Sequence, residues 1–424
     1  MSPMPVFLSA QVVRGRDKDE LFMRPDRVPL RVLIIVAIAQ IVGWGSVSLT
    51  SIVGLRIAAD LGVDVAAVFA GNAVHYAMMG LCAPFLAPAF ERYGARRVMM
   101  AGSVVAGPGF AILAVAQSYG TYLVGWIILG AAGSATLTTA PYILLTERVG
   151  RSAGRAIGAL MLMTGLSSSL FWPTTAFLSD LYGWRGTCLV YAGAMWLVCV
   201  PLYGYGVPRR ASGDALHPPR NARPVEPAPR TDPLGLIAGG TALIAFVGFG
   251  LSAILVELLI AEGLSRSEAI GYGSVLGVIQ IGARAADFLG GGRWDGLTTG
   301  LIAALSVLAG LLLLATGDGG PWAAGGFILL YGLGSGALAV ARVTIPLVFF
   351  DRATYARAAS RIALPLNLAS ALSPPTFAVM LTRFGASAVL MLAAACIGAA
   401  MIALLVLVRR RPSRLSELPV AGEG

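Results

Sequence analysis

Residues 208–232 read PRRASGDALHPPRNARPVEPAPRTD. Prolines at this density cannot sit in a regular helix, because each lacks an N–H and crowds the preceding turn. The stretch is polar and rich in arginine, and the chain on either side is neither. Six apolar runs precede it, at 30–58, 66–90, 98–117, 119–146, 154–179 and 185–207. Six more follow, at 233–261, 267–290, 298–316, 321–350, 356–382 and 385–408. A helix needs about 20 apolar residues to cross a bilayer. The reading is an all-α membrane protein with twelve spanning helices. They form two six-helix bundles, 30–207 and 233–408, joined by the linker 208–232 and flanked by short tails, 1–29 and 409–424.

Composition agrees. The 424 residues are 57% hydrophobic and 12% charged. Soluble domains carry about 25% charged residues, so this chain has too little polar surface to coat a globule in water. Its natural partner is the lipid bilayer. The 53 glycines suit helices that approach closely in lipid. Residues 1–31 lack the short apolar run and small-residue cleavage site of a signal peptide, and the first span can serve as the anchor. Cys82, Cys188, Cys199 and Cys396 all fall in apolar runs without CxxC spacing, so they read as packed thiols. Cys188 and Cys199 are three helical turns apart, too far to share a soft metal.

The net charge is +10. The arginines sit in short loops between apolar runs, which argues for topology and against nucleic acid. Most of the 31 cations lie on the side of the N-terminus, among them Arg92, Arg96, Arg97, Arg148, Arg151 and Arg409 to Arg411. The opposite loops carry only Arg56, Arg185, Arg266 and Arg383. By the positive-inside rule both termini are expected in the cytoplasm, and a bacterial inner membrane and a monomer are the expectation. The two halves are weakly alike. PAFERYGARRVM follows the second span and ADFLGGGRWDGL the eighth, each an acid and then glycine and arginine at an inward-facing helix end. Parallel repeats about a membrane-normal axis would show this.

These features resemble the major facilitator superfamily. Its loop between helices 2 and 3 reads roughly G-x-x-x-D-R-x-G-R-R. Here Ala87 to Arg97 supplies Glu91, Arg92, Gly94, Arg96 and Arg97, with Ala87 for the first glycine and Glu91 for the aspartate. The resemblance implies a conformational role for this segment. Glu91 can pair with cations or accept from a helix N-terminus, and Gly94 permits a tight turn. Within the superfamily the chain is most similar to the monocarboxylate-porter and oxalate/formate-antiporter branch. Gly43-Trp44-Gly45-Ser46, the run Arg155 to Gly158 with Gly165, and GVIQIGARAADF at 277–288 carry the likeness. Monocarboxylate transporters place an Asp and, four residues later, an Arg in helix 8. Arg284 matches the Arg, and Gln280 stands at the Asp. The branch's helix-1 Lys has no counterpart among 47–53.

Arg284 and Arg342 are the cations inside spans. A charge there is costly and marks a pathway. Arg284 can hold a carboxylate with its fork or pair with Asp287 one turn on. Gln280 lies one turn from Arg284 on the same face and can meet substrate or a neighbouring helix. Arg342 follows Gly332, Gly334 and Gly336 and reads as a gate residue. Helices 1, 4, 7 and 10 line the cavity in the fold that the resemblance implies. Gln40 and Trp44 are therefore substrate candidates, with Asn367 on helix 11 a further one. His75, beside Asn72 and Tyr76, can carry a proton or simply pack. Glu257 and Asp287 are the other proton candidates. With Glu91, Arg92, Gly94, Arg96, Arg97 and Arg342, Arg155 completes the gating set.

Nothing reads as an enzyme. There is no nucleotide loop, metal-ligand cluster or Ser/His/Asp set, and neither cofactor nor metal is expected. The expectation is a secondary transporter of a small organic anion working by alternating access, with protons a candidate coupling ion. Efflux of a drug-like or toxic compound, metalloid included, is the alternative. The proline-glycine motif of drug antiporters is replaced by Trp172-Pro173 in span 5. A solute sensor is the remote one, and the tails are short for an output domain.

Overall fold

The computed structural model describes residues 30–149, 153–208, 233–290, 295–317, 320–351 and 354–411. The linker from 209 to 232 and both tails lie outside these. Among the described residues, eight helical stretches are long and apolar enough to cross a membrane. Three of them hold 50 or more residues: Val65–Ala114, Ala153–Gly206 and Tyr355–Arg409. A straight helix of 50 residues would run roughly 75 Å, against a hydrocarbon core of about 30 Å.

Each long stretch instead breaks at one glycine with positive φ. These are Gly94 (74°), Gly183 (70°) and Gly385 (80°). An aromatic residue precedes each, Tyr93, Tyr182 and Phe384. Only glycine enters this region of φ at low cost. The chain doubles back at these points. Thr175 and Tyr191 lie on opposite sides of Gly183, yet their hydroxyls are 2.5 Å apart. Adjacent turns of the fourth span touch both sides of Gly94: Tyr122 donates to Val68 O at 2.7 Å, while Gly125 lies against Leu113.

The result is twelve spans: α1 (Leu30–Leu61), α2 (65–93), α3 (95–114), α4 (Tyr119–Val149), α5 (153–182), α6 (184–206), α7 (Pro233–Ala261), α8 (Arg266–Leu289), α9 (Gly296–Thr316), α10 (Pro321–Phe349), α11 (355–384) and α12 (386–409). Among the described residues the regular structure is helical throughout. The turns expected as loops after spans 2, 5 and 11 are single-glycine breaks. Helix α8 is strongly amphipathic: it opens with a Ser265–Glu268 capping box and turns polar groups toward the cavity.

Each half has its own apolar core. That of the first half gathers Val36, Ile57, Met79, Phe110, Trp126 and Tyr191; that of the second gathers Leu251, Leu258, Val307, Phe327 and Phe377. Four residues of the second half, Val340, Tyr355, Ala356 and Ala359, join the first core. They lie toward the side of the bundle that holds residues 30 and 411. The halves are therefore packed together at that terminal side.

Candidate functional site

Three helices of the first half are interrupted at one level. Helix α1 breaks at Ser48, between Leu30–Val47 and Leu49–Leu61. Its residues 43–48 read GWGSVS, and the Ser46 and Ser48 hydroxyls donate back to the carbonyls of Val42, Gly43 and Gly45. Such back-bonding competes with the helix ladder and bends it. Helix α4 breaks between Thr136 and Thr139, where Thr138 takes φ 41°. Pro141 lacks the N–H that would bond Leu137 in a continuous helix. Helix α5 breaks between Thr164 and Ser167.

These breaks surround a cavity of about 800 Å³ between the two halves. From the first half it is lined by Trp44, Ser48, Ser51, Asn72, Tyr76, Thr138, Thr139, Tyr142, Thr164 and Ser167. From the second it is lined by Phe249, Ser274, Gln280, Arg284, Arg342, Asn367 and Ser370. Irregular backbone at membrane depth is tolerated where it faces such a cavity. Towards the far side, opposite the termini, the lining residues Ser169, Ser274 and Val278 are exposed. Towards the terminal side the floor is Pro346, Tyr355, Ala359 and Ile362.

Two guanidinium groups reach this space, and none of the described residues lining it is Asp or Glu. Arg284 crosses to the first half, its Nη1 3.6 Å from where a Cβ on Gly165 would stand. No ion pair or hydrogen bond engages Arg284 among the described residues, and its buried Nε has no partner. The pairing with Asp287 weighed from the sequence is not formed: Asp287 accepts from Thr299 Oγ1 at 3.2 Å. Arg342 faces a ring, its Cζ 5.9 Å from the centroid of Phe249, a cation–π geometry. It therefore lines the cavity, close to the floor residue Pro346.

Of the remaining expected substrate residues, Trp44, Gln280 and Asn367 line the cavity. Gln280 donates to Ser335 Oγ on α10 at 3.0 Å. Asn367 donates to Ala363 O at 2.8 Å, and its Oδ1 has no partner among the described residues. Gln40 must be corrected. It is 2% exposed and lies outside the cavity lining. Its amide donates to Thr136 O at 2.7 Å and to the Tyr203 hydroxyl at 3.4 Å. Thr136 loses its helical acceptor role at the break in α4, and Gln40 satisfies the freed carbonyl.

The proton candidates are not brought together. His75 is fully buried between α2 and α4, its ring 5.7 Å from Tyr76 and 5.8 Å from Trp126. Neither of its nitrogens has a partner among the described residues, and it is not part of the lining. Glu257 is exposed towards the far end of α7, and Asp287 sits towards the terminal end of α8.

At the terminal side Glu91 pairs with Arg357 of α11 at 2.9 Å, an ion pair between the halves. The cap on the helix after Gly94 comes from elsewhere than Glu91. Glu147, at the end of α4, accepts from Ala95 N at 3.2 and 3.3 Å. Arg96 donates from Nε to Tyr203 O at 2.9 Å and from Nη2 to Gly204 O, tying α3 to α6. Arg92 lies over the Tyr93 ring, 5.4 Å from its centroid. Arg97 and Arg155 are exposed at the same side. Sequence reasoning passed over Thr138, Tyr142, Phe249, Glu147 and Arg357. Pro141 was the one local sign of the break that brings Thr138 and Tyr142 to the cavity.

The two halves enclose a central cavity and pack together at its terminal side. Residues 33–353 match the model of the Major Facilitator Superfamily, and the chain belongs to that family. It is thus a multi-pass membrane protein of that family. It is 31% identical to human Monocarboxylate transporter 11 over 295 residues, 66% of this chain and 60% of that protein. With the mouse protein of the same name it shares 31% over 190 residues, 37% of this chain and 42% of that one. The chain thus spans about half the length of the curated relatives it matches. Among solved structures it is similar to the human organic anion transporter MFSD10 (TETRAN), with TM-score 0.71 and 16% identity over 90% of this chain and 100% of that one. It is also similar to the proton:xylose symporter XylE, with TM-score 0.68 and 13% identity over 90% and 96%. FucP in the outward conformation matches with TM-score 0.68 and 13% identity over 90% and 99%. At such identities the likeness shows the fold.

Proposed function

We propose that this carrier moves an organic anion, with a carboxylate as its charged group, by alternating access. One observation carries the reading: two guanidiniums face a cavity whose described lining holds no acid. A buried cation without a counter-charge is expensive, and an anionic solute supplies what is missing. Arg284 is the primary partner, because its fork can take a carboxylate bidentately while Arg342 is already turned to Phe249. The hydroxyl-rich wall of the broken helices offers donors to the remaining oxygens. The names of its relatives, a monocarboxylate transporter and an organic anion transporter, support the same class.

The substrate enters from the far side. The ion pair Glu91–Arg357 and the packed floor hold the terminal side shut, and rocking of the halves opens it. The arginine distribution supports termini on the cytoplasmic side, which makes the described state outward-facing. His75, Glu257 and Asp287 lie outside the cavity lining, so this cavity by itself requires no proton site.

Uptake into proteoliposomes tests the reading. Labelled lactate, pyruvate, acetate and larger carboxylates would be offered with and without a pH gradient. The expected result is uptake of at least one carboxylate above protein-free vesicles, lost in Arg284→Gln. Failure of every carboxylate to move would refute it.

A further inference from the structure

The cavity carries more than charge. Three rings line it in a row: Trp44 of α1, Tyr76 of α2 and Phe249 of α7. Trp44 and Tyr76 are 6.4 Å apart between centroids and tilted by 32°. Tyr76 and Phe249 meet edge to face at 5.3 Å. Arg342 closes the far end of the row over Phe249. These rings differ from the packing aromatics of the two cores. Trp126, Phe110, Tyr191, Phe327 and Tyr331 are all at most 2% exposed, whereas the three in the row are half-buried and present surface to the cavity. The row also crosses from one half to the other at the Tyr76–Phe249 contact, so rocking of the halves changes the space above it.

A two- or three-carbon acid would use little of this. A cavity of about 800 Å³ falls in the range of pockets that enclose drug-sized ligands, about 300–1,000 Å³. Three aromatic faces and edges beside an unpaired guanidinium match a ligand with a flat apolar body and one carboxylate. Aromatic pairs in offset or edge-to-face geometry gain more than the area they bury, which an aliphatic ring of similar size does not. We infer that the preferred solute is an aryl carboxylate, its ring held on the Trp44–Tyr76–Phe249 row and its carboxylate on Arg284. This rests on the organic-anion reading above and narrows it.

Three acids with one carboxylate each separate the possibilities: acetate, cyclohexylacetate and phenylacetate. Protein-dependent uptake of each into proteoliposomes would be measured as kcat/KM. Burial of the ring predicts phenylacetate over acetate by on the order of 30-fold, and aromatic geometry predicts phenylacetate over cyclohexylacetate by about 3- to 10-fold. Phe249→Leu and Trp44→Leu should reduce the phenylacetate-to-cyclohexylacetate ratio towards one. Should a variant not fold, saturable quenching of tryptophan fluorescence by phenylacetate in the unaltered protein, absent with acetate, is the second readout. Equal handling of phenylacetate and cyclohexylacetate, or a preference for acetate, overturns the aryl inference and leaves the organic-anion reading standing. Movement of none of the three, with lactate and pyruvate also excluded, overturns both.

Discussion

The two halves build opposite walls of one cavity by different means. In the first half α1, α4 and α5 are interrupted at cavity level, and the wall is made of serine and threonine hydroxyls, with Tyr142, beside bent backbone. In the second half α7 and α8 run unbroken past the cavity, α10 is interrupted only at Ile345 beside the floor residue Pro346, and the wall holds both guanidiniums. The unbroken α8 frees no carbonyl beside Arg284, so its own helix does nothing to neutralise that guanidinium. The broken helix α4 does free a carbonyl, that of Thr136, and Gln40 satisfies it within the same half. The lesson is a division of labour. The first half supplies three bent helices and no charge to the cavity, and the second half supplies both charges, Arg284 from an unbroken helix.

The sharpest way to break this contrast is to remove the charge that nothing else replaces. Arg284→Gln should lower carboxylate uptake at least about 100-fold, since loss of one member of a desolvated ion pair costs about 3–5 kcal/mol. Initial rates in proteoliposomes check it, and near-normal rates would show that Arg284 only packs. Arg342→Gln should cost less, about 10-fold in KM, because Arg342 already faces the Phe249 ring and serves as the second cation. An equal loss in the two variants would mean that the cations act as a pair. Next in size is the contact between the halves. Glu91→Gln removes the ion pair with Arg357. Labelling of an Ala359→Cys probe from the terminal side should then speed up about 3- to 5-fold, the scale of a modest surface pair. Unchanged labelling would assign the closure to apolar packing alone. The smallest effect concerns the brace on the break in α4. Gln40→Leu leaves Thr136 O unsatisfied and should cost about 1–2 kcal/mol of stability, read as a lower Tm in detergent, with the same solutes still carried. Loss of transport at unchanged Tm would return Gln40 to the substrate site.

The architecture was legible because the bilayer is a harsh solvent. It demands apolar stretches of spanning length, and the proline-rich stretch at 208–232 cannot be one of them. Arg284 was legible for the same reason, since an intramembrane cation advertises its cost. Neutral polar residues advertise nothing. Gln40 and Gln280 look alike along the chain, yet the first braces a broken helix and the second lines the cavity. A glutamine serves a freed carbonyl and a solute with the same amide. Phe249 was hidden for the opposite reason, as an apolar side chain in an apolar helix. Its exposure to the cavity depends on how α7 is rotated against α2, which composition does not encode. Glu91 could meet a cation or a helix end by its chemistry alone. The choice between them turned on Glu147, more than fifty positions away along the chain, and on Arg357 in the other half.

The central claim is that the cavity recognises negative charge. Binding of carboxylates and of their uncharged amides to the purified protein, followed by thermal shift, tests it most directly, with lactate against lactamide and phenylacetate against phenylacetamide. An acid should give a saturable rise in Tm and its amide none, and the rise should be lost in Arg284→Gln. Equal stabilisation by acid and amide, or a rise that survives Arg284→Gln, would contradict it.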